Sequence, residues 1–276
     1  MVGSKDDDSW AGSSGIDLRT DQPHSARMYD YLLGGKDHYT VDGEAAEKAL
    51  GSFPMLRIAA RENRKFLGRA VRYLVEEIGI RQFLDLGSGL PTAENVHQVA
   101  QRSDPGARVV YVDNDPIVLV HGSALLATDE RTAVVQGDIR DPGAVLAHPK
   151  TRELIDFSEP VGVLAVAVLH FVGDEEDPAG IVRTLREAVP AGSHFILSHA
   201  TADIAPEAAM GVQRAYRSQG VPLTLRTRAQ FSAFFAGLEL VEPGVQVVSD
   251  WRATEPESER PSHADVSWYG GIGRLA

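Results

Sequence analysis

The sequence predicts an α/β fold, a doubly wound parallel sheet with helices on both faces, preceded by a helical segment. Three observations carry this. From residue 81 the apolar runs QFLDL (82–86), RVVYVD (108–113), TAVVQ (132–136), VGVLAVAVL (161–169) and SHFILSH (193–199) alternate with helical stretches near 92–102, 116–127, 142–148 and 178–189. Such strand–helix alternation implies parallel strands with covering helices. Before residue 81, apolar positions recur at helical spacing instead. Finally, the first apolar run opens into a glycine loop, LGSGLPT. In this architecture ligands sit beyond the carboxyl ends of the strands, where strand order reverses.

Taken in order, residues 1–24 are polar, aperiodic and rich in Gly, Ser and Asp, and read as a loose tail. SARMYDYLLGG reads as a helix with Ser25 as N-cap and a stop at Gly34 and Gly35. A second helix is expected over 42–50. A third starts near Pro54, carries Leu67, Ala70, Val71, Leu74, Val75 and Ile78 on one face, and ends at Gly79. Residues 25–80 therefore form an N-terminal helical unit, and 81–276 the ligand-binding domain. Beyond the fifth run, a helix is expected over 206–219. Thr227 and Gln230 form a capping box for a helix reaching Ala236. Residues 238–242 read as a strand, 250–263 as a polar loop, and VSWYGGIGRLA as a final strand at the sheet edge.

Composition narrows the function. A chain of 276 residues with 43% hydrophobic and 24% charged residues suits one large domain or two small ones. Without cysteine there is no disulfide, thiol nucleophile or cysteine-held zinc. The nine histidines form no HExxH or HxxxH pair, so no metal is expected. A net charge of −12 with no basic run disfavours nucleic acid as a partner. No apolar run is long enough to span a membrane, and the N-terminus lacks a signal-like apolar core. A cytoplasmic location is expected.

The loop after the first run contains Asp85, Gly87, Ser88 and Gly89, with Pro91 and Thr92 where a dinucleotide loop would bring its third glycine. Pro91 removes an N–H that a diphosphate would use. Asp85 would repel phosphate. A ligand of opposite charge suits the same residues. S-adenosylmethionine carries an ammonium and a sulfonium and no phosphate, and a carboxylate at the first strand end attracts that cationic end. The second run ends in Asp113, Asn114 and Asp115, where an acid accepts from ribose hydroxyls. The third is followed by Asp138 and Ile139, suited to an adenine amine and ring. Each acid also has a plain alternative. Asp85 can cap a helix, Asp113 or Asp115 can cap the helix at Pro116, and Asp138 can be a turn residue. An NAD(P)-dependent oxidoreductase remains the competing enzyme class, since Asp113 alone does not discriminate.

FLDLGSGLPT, VVYVDNDP and GDIRDP resemble S-adenosylmethionine-dependent methyltransferases of the seven-stranded, Rossmann-like class I type. More narrowly, SARMYDYLLGGKDHYTVD and AARENRKFL resemble one actinobacterial methyltransferase family first catalogued as a domain of unknown function, and the likeness runs from residue 16 to the end. Two departures from the general class, Pro91 and the 28-residue step from Asp85 to Asp113 (113 − 85), are shared by that family. The resemblance implies S-adenosyl-L-methionine as cofactor and N-terminal helices closing as a lid. Tyr29 and Tyr31 would pack on the donor or shape the acceptor pocket, and Ala167 and Val168 would lie beneath the donor. Arg64 either pairs with the methionine carboxylate or makes a surface salt bridge. His170, at the mouth of the cleft, is the candidate general base or a hydrogen-bonding wall residue, and His199 is a weaker candidate. The acceptor is expected to be a small molecule. A protein that binds the cofactor without turnover shares the same donor site.

Overall fold

A computed structural model of the protein describes residues 18–92, 94–125 and 130–276, with side chains 123–125 outside the description. Most of the expected tail, residues 1–17, lies outside the described residues, as do 126 and 127 of the helix expected near 116–127.

The parallel sheet is formed by β1 (Gln82–Leu86), β2 (Arg108–Asp113), β3 (Thr132–Gln136), β4 (Gly162–Val166) and β5 (His194–Ala200). Three further strands follow, β6 (Glu239–Leu240), β7 (Gln246–Val247) and β8 (Trp268–Arg274). The order is β3-β2-β1-β4-β5-β8-β6, with β7 also pairing β8. The edge line is therefore one strand position in two pieces, β6 on Gly273 and Arg274 and β7 on Tyr269 and Gly270. Eight strands thus occupy seven positions, in agreement with the seven-stranded expectation. Strand order reverses between β1 and β4, which opens a crevice at their carboxyl ends.

The final strand is not at the edge, as the sequence suggested. It runs antiparallel to β5 through all seven residues, with β6 and β7 on its other side. Its glycines explain why it can be inserted there. A Cβ on Gly270 would lie 2.9 Å from Phe66, and one on Gly273 would lie 2.8 Å from Phe235. Both faces of the strand are already filled by aromatic rings. The fourth apolar run also stops early, at Val166, because Ala167 takes φ +59° and leads into a 3-10 turn over Leu169–Phe171.

The N-terminal helices are α1 (Ser25–Leu33), α2 (Thr40–Ser52) and α3 (Leu56–Tyr73), the last continuing as a wider turn (Leu74–Ile78) to Gly79. Ser25 is not the N-cap of α1. His24 is, its Nδ1 accepting from the Ala26 N–H. Gly34 ends α1 at φ +83°, and Gly35 must be glycine because a Cβ there would collide with the Asp30 carboxylate. Residues 18–24, read as the end of the tail, are tied to the fold through Arg27. Its buried guanidinium donates to the carbonyls of Arg19 and Gln22 and lies 3.2 Å from Asp115 and 3.6 Å from Asp42. One continuous apolar core joins α1–α3 to the sheet, with Phe66, Leu67, Ala70 and Val71 of α3 inside it. The other helices are α4 (Val96–Ser103), α5 (Pro116–Leu125), α6 (Pro142–Ala147), α7 (Pro149–Leu154), α8 (Pro178–Glu187), α9 (Pro206–Ser218), α10 (Arg228–Ser232) and α11 (His263–Val266). Thr227 and Gln230 cap α10 as expected. Among the described residues no helix is long and apolar enough to cross a membrane.

Candidate active site

The crevice at the ends of β1, β2 and β4 is a cleft of about 1370 Å³, mouth included, roofed by α1 and α3 and by residues 19–24. Asp85, Gly87, Ser88, Gly89, Asp113, Asn114, Asp138, Ile139, Ala167, Val168 and Arg64, all expected from the sequence, line it. The loop is built around Asp113. The Gly89 N–H donates to its Oδ2 at 2.8 Å and the Asp115 N–H to its Oδ1 at 3.0 Å. Asp115 in turn accepts from the Ile117 N–H and starts α5. The capping role thus falls to Asp115, and Asp113 is left facing the cleft. Gly87 has φ +68°, and a Cβ there would lie 2.3 Å from Val168 Cγ2, so loop and β4 end touch through that missing side chain.

Asp85 caps no helix; α4 is capped by Asn95. The Asp85 carboxylate accepts no hydrogen bond from the protein among the described residues and is only 4% exposed. Burial pushes its pKa up to about 7, against the pull of Arg64 and with a further push from Asp113. Among the described residues the Ser88 hydroxyl is also buried without a hydrogen-bond partner. Asp138 combines its two readings. It accepts from the Arg140 backbone and guanidinium, as a turn residue does, and from Asn114 Nδ2, while still lining the cleft. Burial raises its pKa, but these hydrogen bonds outweigh that and leave it below the usual carboxylate range. The Arg64 guanidinium reaches the Glu94 carbonyl at 3.1 Å.

Two expected site residues are elsewhere. Tyr31 is outside the cleft, its hydroxyl bonded to Glu47 and its ring under the Arg57 guanidinium. Tyr29 faces the cleft instead, donating to the Ala60 carbonyl and accepting from Asn63. The reason is helical geometry, since residues two apart point to opposite sides of α1. Tyr31→Phe is accordingly expected to leave the affinity for S-adenosylhomocysteine within about twofold of wild type by calorimetric titration, a surface hydrogen bond being worth little to a distant site; a larger loss would bring Tyr31 back into the site. His170 is not at the mouth of this cleft. It is buried in an adjoining chamber, ringed by Phe171, His199 and Trp268. Burial, helped by His199 and Arg226, lowers its pKa well below that of a free imidazole. His199 is fully engaged, with Nδ1 at the Ala200 carbonyl and Nε2 at Arg226, and burial pushes it down to about 3. Neither ring is set up as a solvent-facing base.

Sequence reasoning missed Asn63, which bonds both Tyr29 and Ser198 and so ties α1, α3 and β5 together beneath the cleft. It also missed Arg19, Pro23 and His24 in the cleft wall. A polar residue on the apolar face of α3 was the available signal for the first; the others sit in a stretch without periodicity.

The sequence model of a family described as S-adenosyl methyltransferase matches residues 11–276. The protein belongs to that family. Its activity is methyl transfer from S-adenosylmethionine to an acceptor not yet identified. A DUF574 family protein of known structure from Streptomyces avermitilis MA-4680 is 45% identical, superposes with a TM-score of 0.91, and aligns over 94% of this chain and 100% of its own. A protein from Thermobifida fusca YX, named provisionally as a methyltransferase, is 43% identical, with a TM-score of 0.89 over 94% of this chain and 97% of its own. An O-methyltransferase family 2 protein from Planctomyces limnophilus DSM 3776 shares the fold at 16% identity and a TM-score of 0.51, over 96% of this chain and 63% of its own. A search of curated proteins finds no match.

The residues present fit this cofactor on physical grounds. A buried carboxylate that accepts no hydrogen bond among the described residues, Asp85, asks for a cation. A buried hydroxyl without a partner, Ser88, asks for a polar ligand atom. Gly89 at φ +68° has open space where a Cβ would be, so ligand atoms can approach the backbone. Two anions at the strand ends do not suit the diphosphate of a dinucleotide.

Proposed function

We propose that the methyltransferase holds its donor between Asp85 and Asp138 and passes the methyl group to a small molecule. The observation that carries this is the buried Asp85 carboxylate at the end of β1, which accepts no hydrogen bond among the described residues. In this reading Asp85 attracts the ammonium end and Arg64 the methionine carboxylate. Asp113 accepts from the ribose hydroxyls, using the lone pairs that Gly89 and Asp115 leave open. Asp138 accepts from the adenine amine, with Ile139 against the ring. Ala167 and Val168 form the floor. When bound, the donor supplies an activated methyl group on a sulfonium, so the protein mainly aligns and dries the reacting atoms. Residues 25–80 act as the lid, closing the cleft through Tyr29, Asn63 and Arg64. A net charge of −12 argues for a small acceptor over nucleic acid. A cytoplasmic location belongs to the same reading.

The test is calorimetric titration with S-adenosylhomocysteine across pH 6 to 8.5, approximately the range over which Asp85 titrates. With its pKa raised to about 7, Asp85 is largely protonated below that pH in the free protein. A cationic ammonium needs the carboxylate, so binding expels a proton there. Affinity should therefore rise with pH up to about 7 and flatten above it, changing by at most about tenfold per unit on the acid side. Proton release should be visible as a dependence of the heat on buffer ionisation. Asp85→Asn should bind more weakly and lose this dependence. An identical pH profile in wild type and variant would overturn the assignment of Asp85.

A further inference from the structure

The chamber that holds His170 adjoins the donor cleft, because Ser25, Tyr29 and Phe171 line both. Its empty space is about 520 Å³, a figure that includes the open mouth. Two nearly parallel ring pairs frame it. Phe171 and Tyr216 stack at 6.1 Å and 18°, and Tyr29 and Trp268 at 6.4 Å and 23°. His170 stands edge-on to Phe171 and Trp268. Leu32, Leu56, Val212 and Leu223 extend the apolar wall, and among the described residues no Asp, Glu, Lys or Arg side chain lines the space. An ion entering it would lose its hydration without a counter-charge.

Among the polar groups of this wall, His170 Nε2 and the Tyr216 hydroxyl make no hydrogen bond to the described residues. Both are neutral, since burial lowers the imidazole pKa and raises the phenol pKa. His170 Nδ1 faces the Ala200 N–H at 3.4 Å, which makes it the accepting nitrogen and leaves the proton on Nε2. The chamber thus offers flat apolar walls with the His170 N–H and the Tyr216 hydroxyl open to a ligand, and the hydroxyl residues Ser25, Thr201 and Ser267 also on its lining.

We propose that this chamber is the acceptor site, and that it takes a small, uncharged aromatic molecule whose polar substituents meet His170 Nε2–H and the Tyr216 hydroxyl. This rests on the donor site described above. The acceptor presents a hydroxyl or amine at the Ser25–Tyr29–Phe171 neck. A lone pair on its oxygen or nitrogen forms the new bond to the methyl carbon as the S–CH3 bond breaks, and the bonding pair returns to sulfur as a neutral thioether. The proton of the acceptor leaves through the open cleft to water. His170 positions the acceptor and does not take its proton.

A matched pair of probes tests this, methyl 4-hydroxybenzoate and 4-hydroxybenzoate, titrated into the protein saturated with S-adenosylhomocysteine and followed by ligand-observed NMR. The neutral ester should bind saturably and at least about tenfold more tightly than the carboxylate. Ala209→Phe, which fills the chamber from α9, should abolish ester binding and leave S-adenosylhomocysteine binding as in wild type. Tyr216→Phe, which removes one oxygen and keeps the ring stack, should weaken the ester about five- to tenfold. Absence of ester binding to wild type, equal binding of the carboxylate, or an unaffected ester affinity in Ala209→Phe would each overturn the proposal. If S-adenosylhomocysteine itself fails to bind, the donor reading falls, and ester titration of the free protein still reports on the chamber alone.

Discussion

Asp113→Ala is expected to lower the affinity for S-adenosylhomocysteine by at least about a hundredfold, the cost of two charge-assisted hydrogen bonds at about 1.5–3 kcal/mol each. The carboxylate does two jobs at once. Its Oδ2 fixes the Gly89 N–H and its Oδ1 fixes the Asp115 N–H, so it sets the shape of the glycine loop before any ligand arrives. It also faces the cleft, where the ribose would bind. Burial raises its pKa, and the hydrogen bonds from Asp115 and Gly89 act against that. Asp113→Asn separates the two jobs. An amide keeps one accepting oxygen but points an NH2 at one of the two backbone N–H groups, so an intermediate loss of about tenfold is expected. Calorimetric titration of both variants checks this. An alanine variant that binds within about threefold of wild type would mean that the ribose is held elsewhere, because the loss of even one such bond exceeds that.

Gly87→Ala is expected to destabilise the protein by about 2–5 kcal/mol, by adding a left-handed backbone cost of about 1–2 kcal/mol to an overpacking cost of about 1–3 kcal/mol. The backbone cost arises because Gly87 sits at φ +68°, and the packing cost because the new Cβ would lie 2.3 Å from Val168 Cγ2 and 2.7 Å from Val168 Cβ. Gly89 supplies the control. It has the same φ of +68° but nothing within 4 Å of its missing Cβ, so Gly89→Ala should show the backbone cost alone. Urea unfolding of both variants measures the difference. Val168→Ala should rescue Gly87→Ala only in part, since the Val168 Cβ remains too close. Equal stability of the two glycine variants would show that β4 gives way to the loop at little cost.

The sheet was legible because its strands are buried on both faces and so read as short continuous apolar runs. QFLDL, RVVYVD and TAVVQ match β1, β2 and β3 residue for residue. The acids at their ends were legible for a related reason, as polar groups at the termini of apolar runs point to where a strand leaves the core. Gly79 and the Thr227–Gln230 capping box marked helix ends through local backbone chemistry alone.

Where a residue faces depends on contacts distant in sequence, and here the sequence was silent or misleading. Tyr29 and Tyr31 look alike in YDYLL, yet only packing of α1 on α3 decides that Tyr29 meets Asn63 and the cleft while Tyr31 meets Glu47 outside. The segment WYGGIGR, with its three glycines, reads in sequence as a strand at the sheet edge. In the fold those glycines are what allows an interior one, because Phe66 and Phe235 arrive from segments far away in the chain. His170 follows the β4 run in sequence, which suggested a solvent-facing base. The positive φ at Ala167 turns the chain, and the imidazole goes into an aromatic chamber where burial keeps it neutral.

By itself, then, the sequence determined the α/β alternation, the positions of the strand-end acids and the charge of the ligand they suit, because these follow from local periodicity and from charges borne by single residues. The tertiary structure decided which acid holds the loop and which caps the helix, which tyrosine faces the cleft, and that a neutral chamber adjoins it. Those outcomes depend on burial and on contacts between segments, and neither exists until the chain has folded.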